Sequence, residues 1–489
     1  MSTKIFSRGL LLLIMSMFLS GTSLGRSFHV DPVKGKKGAA ATEQAPIDSL
    51  KELSGKLSPG DVVYLAAGTY RESLTLSARG DAEQPIVIRN LKDQQPVMKG
   101  TTWTLVGASH LVLQGLTFED CSPGIVFGKS ASDNIVRGNQ FFNCPPLGRG
   151  NYERAILGEG PDSHRNCIEG NIFKRPYEPR GNEGPEGMNV TEGNRHWRIA
   201  GNRISGYMYG LQLGIGARDN PPGYIMVADN EFFDCHEGLH IKTSDNVIRG
   251  NHIHDLRRVG WMMAGAGVFL RGGRRTTVEN NRIERAEGSG IRVLGGDHLI
   301  RNNLIVDTPV GIWLSNHGYG RAGKSIRLVH NTVINAALPA WISAGEAFVF
   351  NNIFGASPGA ETAILIAGID ATNPIRKMKP HWFRAYADGD DPNATFVCDY
   401  NLFHNVKPPA GQHPLIPPDH KPPVDNGWWG AHNLEGAPRF VEAAKGDYRL
   451  LPDSVGRGVG RMLPNCTRDI DGRLRPTGKP DIGAFQSSD

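Results

Sequence analysis

The sequence predicts an all-β chain folded as a right-handed single-stranded parallel β-helix, a solenoid with an N-terminal cap and a C-terminal capping segment. Three observations predict it. First, an apolar-x-(Gly/Asn)-Asn-x-apolar phrase recurs at Asn139, Asn171, Asn202, Asn230, Asn251, Asn281, Asn303, Asn331 and Asn352, at intervals of 21 to 32 residues. A repeat of that period marks a stacked array. Second, a Gly-apolar-x-apolar-x phrase accompanies it, at Gly124, Gly210, Gly238, Gly267, Gly290 and Gly311. Its period of two is that of strands with one face in and one face out. Third, no helical segment separates these strands, and the Leu spacing of leucine-rich repeats is absent.

Each segment follows in order. Residues 1–25 read as an export signal: Lys4 and Arg8 precede the apolar run Gly9 to Leu19, and small residues Ser23 and Gly25 suit cleavage. The apolar run is short for a membrane span, and no later one is long enough. A secreted, periplasmic or surface location is expected, with no membrane span after signal removal. Residues 26–103 read as an N-terminal cap and first coils, with a helix over Pro46 to Leu57 on the spacing of Ile47, Leu50, Leu53 and Leu57. Residues 104–355 are the repeating core. Each recurrent Asn is expected to bond its neighbours in a buried ladder at a tight turn. Residues 356–489 change character, with a Pro-rich stretch from Lys407 to Pro423, Trp428-Trp429, and the closing phrases Asp469-Ile470-Asp471-Gly472 and Asp481-Ile482-Gly483. They are expected to pack along or cap the last coils.

Bulk composition sets outer limits. The chain has 489 residues, too many for one compact core but natural for a stacked array. A formal charge of +5 does not by itself suggest nucleic acid. Six cysteines are present; Cys121, Cys144 and Cys167 lie 23 apart, which stacked small hydrophobes explain as well as disulfides do. The sequons at Asn189 and Asn393 carry no weight without knowledge of the host.

A solenoid places equivalent positions side by side, about 4.8 Å apart. Aligned at Gly, the second phrases put Gln212, His240, Phe269, Arg292 and Trp313 in one outward column. Gly214, Lys242, Arg271, Leu294 and Ser315 form the next. Lys242 and Arg271 should stand together with Arg292 diagonal to them, a basic strip edged by aromatics. Such a strip suits an acidic sugar chain, because cations meet carboxylates and aromatic faces meet sugar rings. Export makes nucleic acid the less suitable polyanion. A uronate polymer can be cleaved by β-elimination, which needs the carboxylate neutralised, the adjacent proton removed and the leaving oxygen protonated. A Lys serves as that base when a neighbouring cation lowers its pKa. Hydrolysis would require two carboxylates, and the two outward columns contain no acidic pair.

The run Glu237-Gly-Leu-His-Ile-Lys242-Thr-Ser-Asp-Asn246, then Leu270-Arg271-Gly-Gly-Arg274, then Gly290-Ile-Arg292-Val-Leu-Gly295-Gly-Asp-His298, resembles polysaccharide lyase family 6, the chondroitinase B and alginate lyase family, within the secreted β-helix proteins with a pectin lyase-like fold. The resemblance implies Lys242 as base, Arg271 as acid and Arg292 as a substrate-binding residue. It also implies Ca2+ held by a Glu-x-Glu pair and an Asn one coil earlier. Here Glu237 matches the second Glu, but Cys235 stands at the first, and Gln212 lies on the preceding coil. Arg292 or His240 is the alternative partner for the carboxylate. The loop from Arg257 to Met263 would wall the groove.

The expected activity is thus a secreted polysaccharide lyase acting on an acidic polysaccharide, as a monomer. Lys242 and Arg271 are the catalytic pair; His240, Arg292, Trp313, Phe269 and Gln212 contact substrate; Glu237 is a metal ligand. His317 and Tyr319 are further candidates for contact. The alternatives are a non-catalytic glycan-binding surface β-helix, or another β-helix carbohydrate enzyme, a hydrolase or epimerase. The Asp-Pro-His-Asp motif of mannuronan epimerases and the Arg-x-Pro-x-x-Arg motif of the main pectate lyases are absent.

Overall fold

The computed structural model describes residues 25–143, 153–176, 184–215, 221–258, 265–315, 325–343, 346–358, 364–366, 396–405 and 430–487. Residues 1–24 of the expected export signal (1–25), the Arg257–Met263 loop beyond Arg258, His317, Tyr319, Cys144, Asn393, the Pro-rich stretch and Trp428-Trp429 lie outside the described residues.

Each turn of the chain contributes one strand to each of three parallel sheets, of fourteen, fourteen and twelve strands. This is a right-handed parallel β-helix. Coiling begins at Ser27–Val30, which pairs with Val62–Leu65. The apolar residues of every turn point inward and stack by kind. Phe118, Phe141 and Phe173 lie face to face at 5.0 and 4.7 Å, and Ile248, Ile253, Val278 and Ile283 are fully buried. Burial of such columns is the main source of stability in a solenoid, because each turn covers only its neighbours.

The Asn phrase forms the corner between the first two sheets. The backbone N–H and Nδ2 of Asn139 both donate to Asn171 Oδ1, at 2.9 and 3.1 Å. The same pair of bonds links Asn251 to Asn281 and Asn281 to Asn303. The ladder runs on past Asn352 to Asn401 and Asn433. The residue before each ladder Asn has positive φ: 60° at Gly138, 57° at Asn280, 58° at Asn351. That is why Gly or Asn precedes it at most turns, while Asp229, His330 and Tyr400 take the same conformation at the others. A second ladder, Asn134 to Asn166, lines the corner that enters the first sheet.

The Gly of the other phrase marks a close approach between the second and third sheets. A Cβ at Gly267 would lie 2.7 Å from Ile283 Cγ2 and 2.6 Å from the Gly290 carbonyl oxygen. From Gly138-Asn139 to Tyr400-Asn401 the corner between the first and second sheets spans the two residues of the Asn turn. Variable lengths of chain therefore fall at the two corners that flank the twelve-stranded sheet.

One local expectation is corrected. The helix over Pro46 to Leu57 is a single 3-10 turn, Leu50–Leu53, capped by Ser49 Oγ accepting from the Lys51 N–H. Gly55 at φ 71° turns the chain away one residue after the C-cap. Asn189 is buried and its Nδ2 donates to Glu186, so it is no sugar acceptor. The five described cysteines are free thiols. The chain from Phe440 onward packs on the outer face of the second sheet. There Tyr448, Ala484 and Phe485 bury Leu304 and Val306, and Arg475 donates to Asn302 Oδ1. Among the described residues no helix is long and apolar enough to cross a membrane.

Candidate functional site

The twelve-stranded sheet carries the candidate residues. Its central strands are Glu186–Val190, Tyr209–Leu213, Glu237–Ile241, Ala266–Arg274, Ser289–Gly296 and Val310–Ser315. Register places Asn189, Gln212, His240, Phe269, Arg292, Trp313 and Trp341 in one column. Ile241 pairs with Leu270, so Lys242 and Arg271 take the next position on adjacent turns. Arg271 in turn faces Leu294. Both cations are half-buried. The preceding turn leaves room for Lys242 because Gly214 has no side chain; a Cβ there would lie 3.2 Å from the Lys242 Cβ. Lys242 Nζ donates to the Ile215 carbonyl at 2.6 Å. The Lys242 pKa is lowered, first by burial and next by the Arg271 guanidinium, against the pull of Glu186, Glu192 and Glu237.

A third column stands beside these two, where the chain turns into the sheet. It reads Arg154, Glu186, Tyr209, Glu237, Ala266 and Ser289. This corrects the expectation that outward positions hold no acidic pair. Glu186 and Glu237 occupy one column, two turns apart. Each is buried and reaches the residue three places on. Glu186 Oε2 accepts from Asn189 Nδ2 and from Arg154 Nε, both at 2.6 Å. Glu237 Oε2 lies 2.6 Å from His240 Nδ1. Burial raises the Glu186 pKa. Glu186-Gly-Met-Asn189 and Glu237-Gly-Leu-His240 are one phrase used twice. The signal was in the sequence, but strict period-two alternation hides it, because the corner breaks the alternation.

The aromatic edge differs from expectation. Phe269, Trp313, His240 and Gln212 are buried, with 5%, 8%, 2% and 5% of their surface exposed. Columns 4.8 Å apart let rings cover one another's faces. Trp313 stacks on Trp341 at 4.4 Å. The Arg292 guanidinium lies 4.7 Å from the Phe269 centroid and 4.2 Å from that of Trp313. These rings therefore serve as a clamp for Arg292 rather than as open sugar platforms. His240 is corrected as a source of positive charge: burial lowers its pKa, so it is neutral at ordinary pH, and its Nε2 is buried with no hydrogen-bond partner among the described residues.

For calcium, the ligand set implied by the Glu-x-Glu alignment does not form. Cys235 points into the core, where burial pushes its thiol up to about 12. The oxygens present are a different set: Glu186 Oε1 and Asn189 Oδ1, both buried and without a donor among the described residues, with Glu237 two turns further along the Glu186 column. Two carboxylates and an amide are the oxygen types calcium takes.

The comparisons with known proteins agree on the fold. The family model for the right-handed β-helix region matches residues 186–354. An uncharacterized protein, YwoF, of Bacillus subtilis (strain 168) is 23% identical over 348 residues, covering 64% of this chain and 63% of its own length. Among solved structures, the family 6 alginate lyase AlyGC superposes with a TM-score of 0.60 at 18% identity, covering 88% of this chain and 55% of its own. XylC in complex with xylose gives 0.57 at 11%, covering 94% and 98%. A mannuronic acid-specific family 6 lyase from human gut microbiota gives 0.58 at 16%, covering 86% and 93%. The chain thus spans under two thirds of YwoF and about half of AlyGC. At these identities the likeness shows the fold.

Proposed function

We propose that this chain is a polysaccharide lyase of the family 6 type, exported from the cell, that cleaves a uronate-containing acidic glycan by β-elimination. One observation carries the reading: Lys242 and Arg271 stand on adjacent turns at the same register position, and burial together with Arg271 weakens the hold of Lys242 on its proton. The neutral Lys242 amine takes the proton from the carbon bearing the uronate carboxylate. The electron pair forms the new carbon–carbon double bond, the glycosidic C–O bond breaks, and Arg271 gives a proton to the leaving oxygen. Arg292, its guanidinium between the Phe269 and Trp313 rings, meets the carboxylate. Glu186, Asn189 and Glu237 would hold Ca2+, which supplies further positive charge for a substrate carboxylate when bound. Two of the neighbouring solved structures bear lyase names, which supports the reading without extending to the substrate.

The test is incubation with alginate, chondroitin, dermatan and pectate. The expected product absorbs as an unsaturated uronate, and Lys242→Ala abolishes it. Unchanged activity in that variant would remove the mechanism. A second reading rests on Glu186 and Glu237, two buried carboxylates two turns apart in one column, the residue types that a hydrolase uses as acid and base. It is the weaker, because Arg154, Asn189 and His240 already occupy these carboxylates. Cleavage that yields a saturated product and is lost in Glu186→Gln would establish it.

A further inference from the structure

The outer face of the second sheet carries a cluster unrelated to the site above. His252 and His254 project from one strand, His252–Leu256. On the preceding turn Glu231 faces His252, and on the following turn Glu284 faces His254. Glu231, His252 and His254 can each offer one ligand atom, with all three atoms within 4.8 Å of one another. Glu231 Oε1 lies 3.2 Å from His254 Nε2, and Glu284 Oε2 lies 3.9 Å from His252 Nε2. His252 Nε2 has no hydrogen-bond partner among the described residues.

His254 has a carboxylate at each ring nitrogen. Neighbouring side chains of a strand normally point to opposite faces. Asp255 has φ 51°, which breaks that alternation and turns its carboxylate back to His254 Nδ1 at 2.6 Å. With a metal in place of a proton between Nε2 and Glu231, the Asp255 carboxylate would hold the other proton on Nδ1 and orient the ring, as carboxylates behind metal-bound histidines do. Arg203 holds the other oxygen of Glu231 at 2.6 Å. Arg285 and Arg282 lie 3.0 and 3.6 Å from Glu284. These guanidiniums orient the carboxylates, and they leave Glu231 Oε1 turned to the histidines.

We propose that Glu231, His252 and His254, with Glu284 as fourth ligand, form a site for a borderline divalent transition metal of the zinc class. Two imidazole nitrogens with carboxylate oxygens select such an ion over calcium or magnesium. The ligands come from three successive turns, so the ion clips those turns together and favours the folded chain. The inference does not rest on the glycan chemistry of the opposite sheet.

The test uses the tag-free full chain, stripped of metal. Titration with Zn2+ followed by calorimetry is expected to show one saturable equivalent and a raised Tm. Co2+ in its place is expected to give the visible bands of a tetrahedral nitrogen–oxygen site. The double variant His252→Ala/His254→Ala should lose that equivalent and those bands. Its metal-free Tm should stay close to that of the parent, since both rings lie on the outer face. Asp255→Asn should weaken binding about 10–100-fold. Absence of a saturable equivalent in the parent, or an equivalent and bands unchanged in the double variant, would overturn the proposal.

Discussion

In the proposed elimination, Lys242 can act as a base only after its ammonium has lost a proton, so its surroundings would set the working pH. The pKa is lowered from the ordinary 10.5 by burial and by Arg271. The acid limb of kcat/KM should therefore lie below that value, with activity rising as pH rises through it. Lys242→Ala should cost about 10²–10⁴-fold in kcat/KM, the usual share of a proton-transfer residue. Arg271→Ala removes one of the two lowering influences, so its residual activity should show the limb displaced to higher pH. A limb that stays in place would mean that Arg271 does not act on Lys242. Arg292→Lys should raise KM more than it lowers kcat, because an ammonium cannot lie flat between Phe269 and Trp313. The adjacency of Lys242 and Arg271 was legible in the sequence, since two phrases aligned at Gly fix their register. The clamp on Arg292 was not. An outward aromatic in a solenoid stands on another turn's side chain, and no single repeat reveals whether that neighbour covers its face.

At the level of the element, the Asn turn determines whether successive coils lock. Asn281 Oδ1 accepts two bonds from Asn251, and Asn281 Nδ2 donates to the Ile248 carbonyl and to Asn303 Oδ1. Asn281→Ala removes four buried hydrogen bonds; Asn303 Oδ1 keeps the Asn281 N–H and Asn251 Nδ2 keeps the Val227 carbonyl, so the loss falls on the Asn251 N–H and the Ile248 carbonyl, each worth about 1–3 kcal/mol when left unpaired. Partial relaxation reduces the sum, and a loss of roughly 3–5 kcal/mol is expected in urea unfolding, far above a surface substitution. This ladder was legible because its geometry demands one amide and one residue of positive φ at fixed places. The 3-10 turn at Leu50–Leu53 was less so. Its apolar spacing fits a longer helix equally well, and Gly55 decides the outcome through a backbone angle. Glu186 and Asn189 escaped for a related reason: the corner at Gly187 places both beside the site, and periodicity alone does not register a corner.

For the whole molecule, acid is the exposed flank of stability. His298 stands where the second ladder would place an Asn; its Nδ1 accepts from the Thr276 N–H at 3.2 Å. Burial lowers its pKa from 6.5 to about 4. Between these values the unfolded chain binds a proton that the native one refuses, so stability rises with pH. The contribution is complete above about pH 6.5 and is lost as pH falls to about 4, amounting to about 3 kcal/mol. His330, buried and also shifted down, adds in the same direction. The urea midpoint should fall across this window. His298→Asn should flatten the dependence, because an amide oxygen accepts the same bond without titrating.

The two-residue Asn corner is constant from turn to turn, whereas chain of any length enters and leaves the twelve-stranded sheet. Framework and substrate walls are therefore separable modules. On the proposed lyase reading, a longer or shorter segment grafted at either flank should change which sugar enters while leaving the register of Lys242 and Arg271 in place, so new specificities would be open to this scaffold without altering its floor.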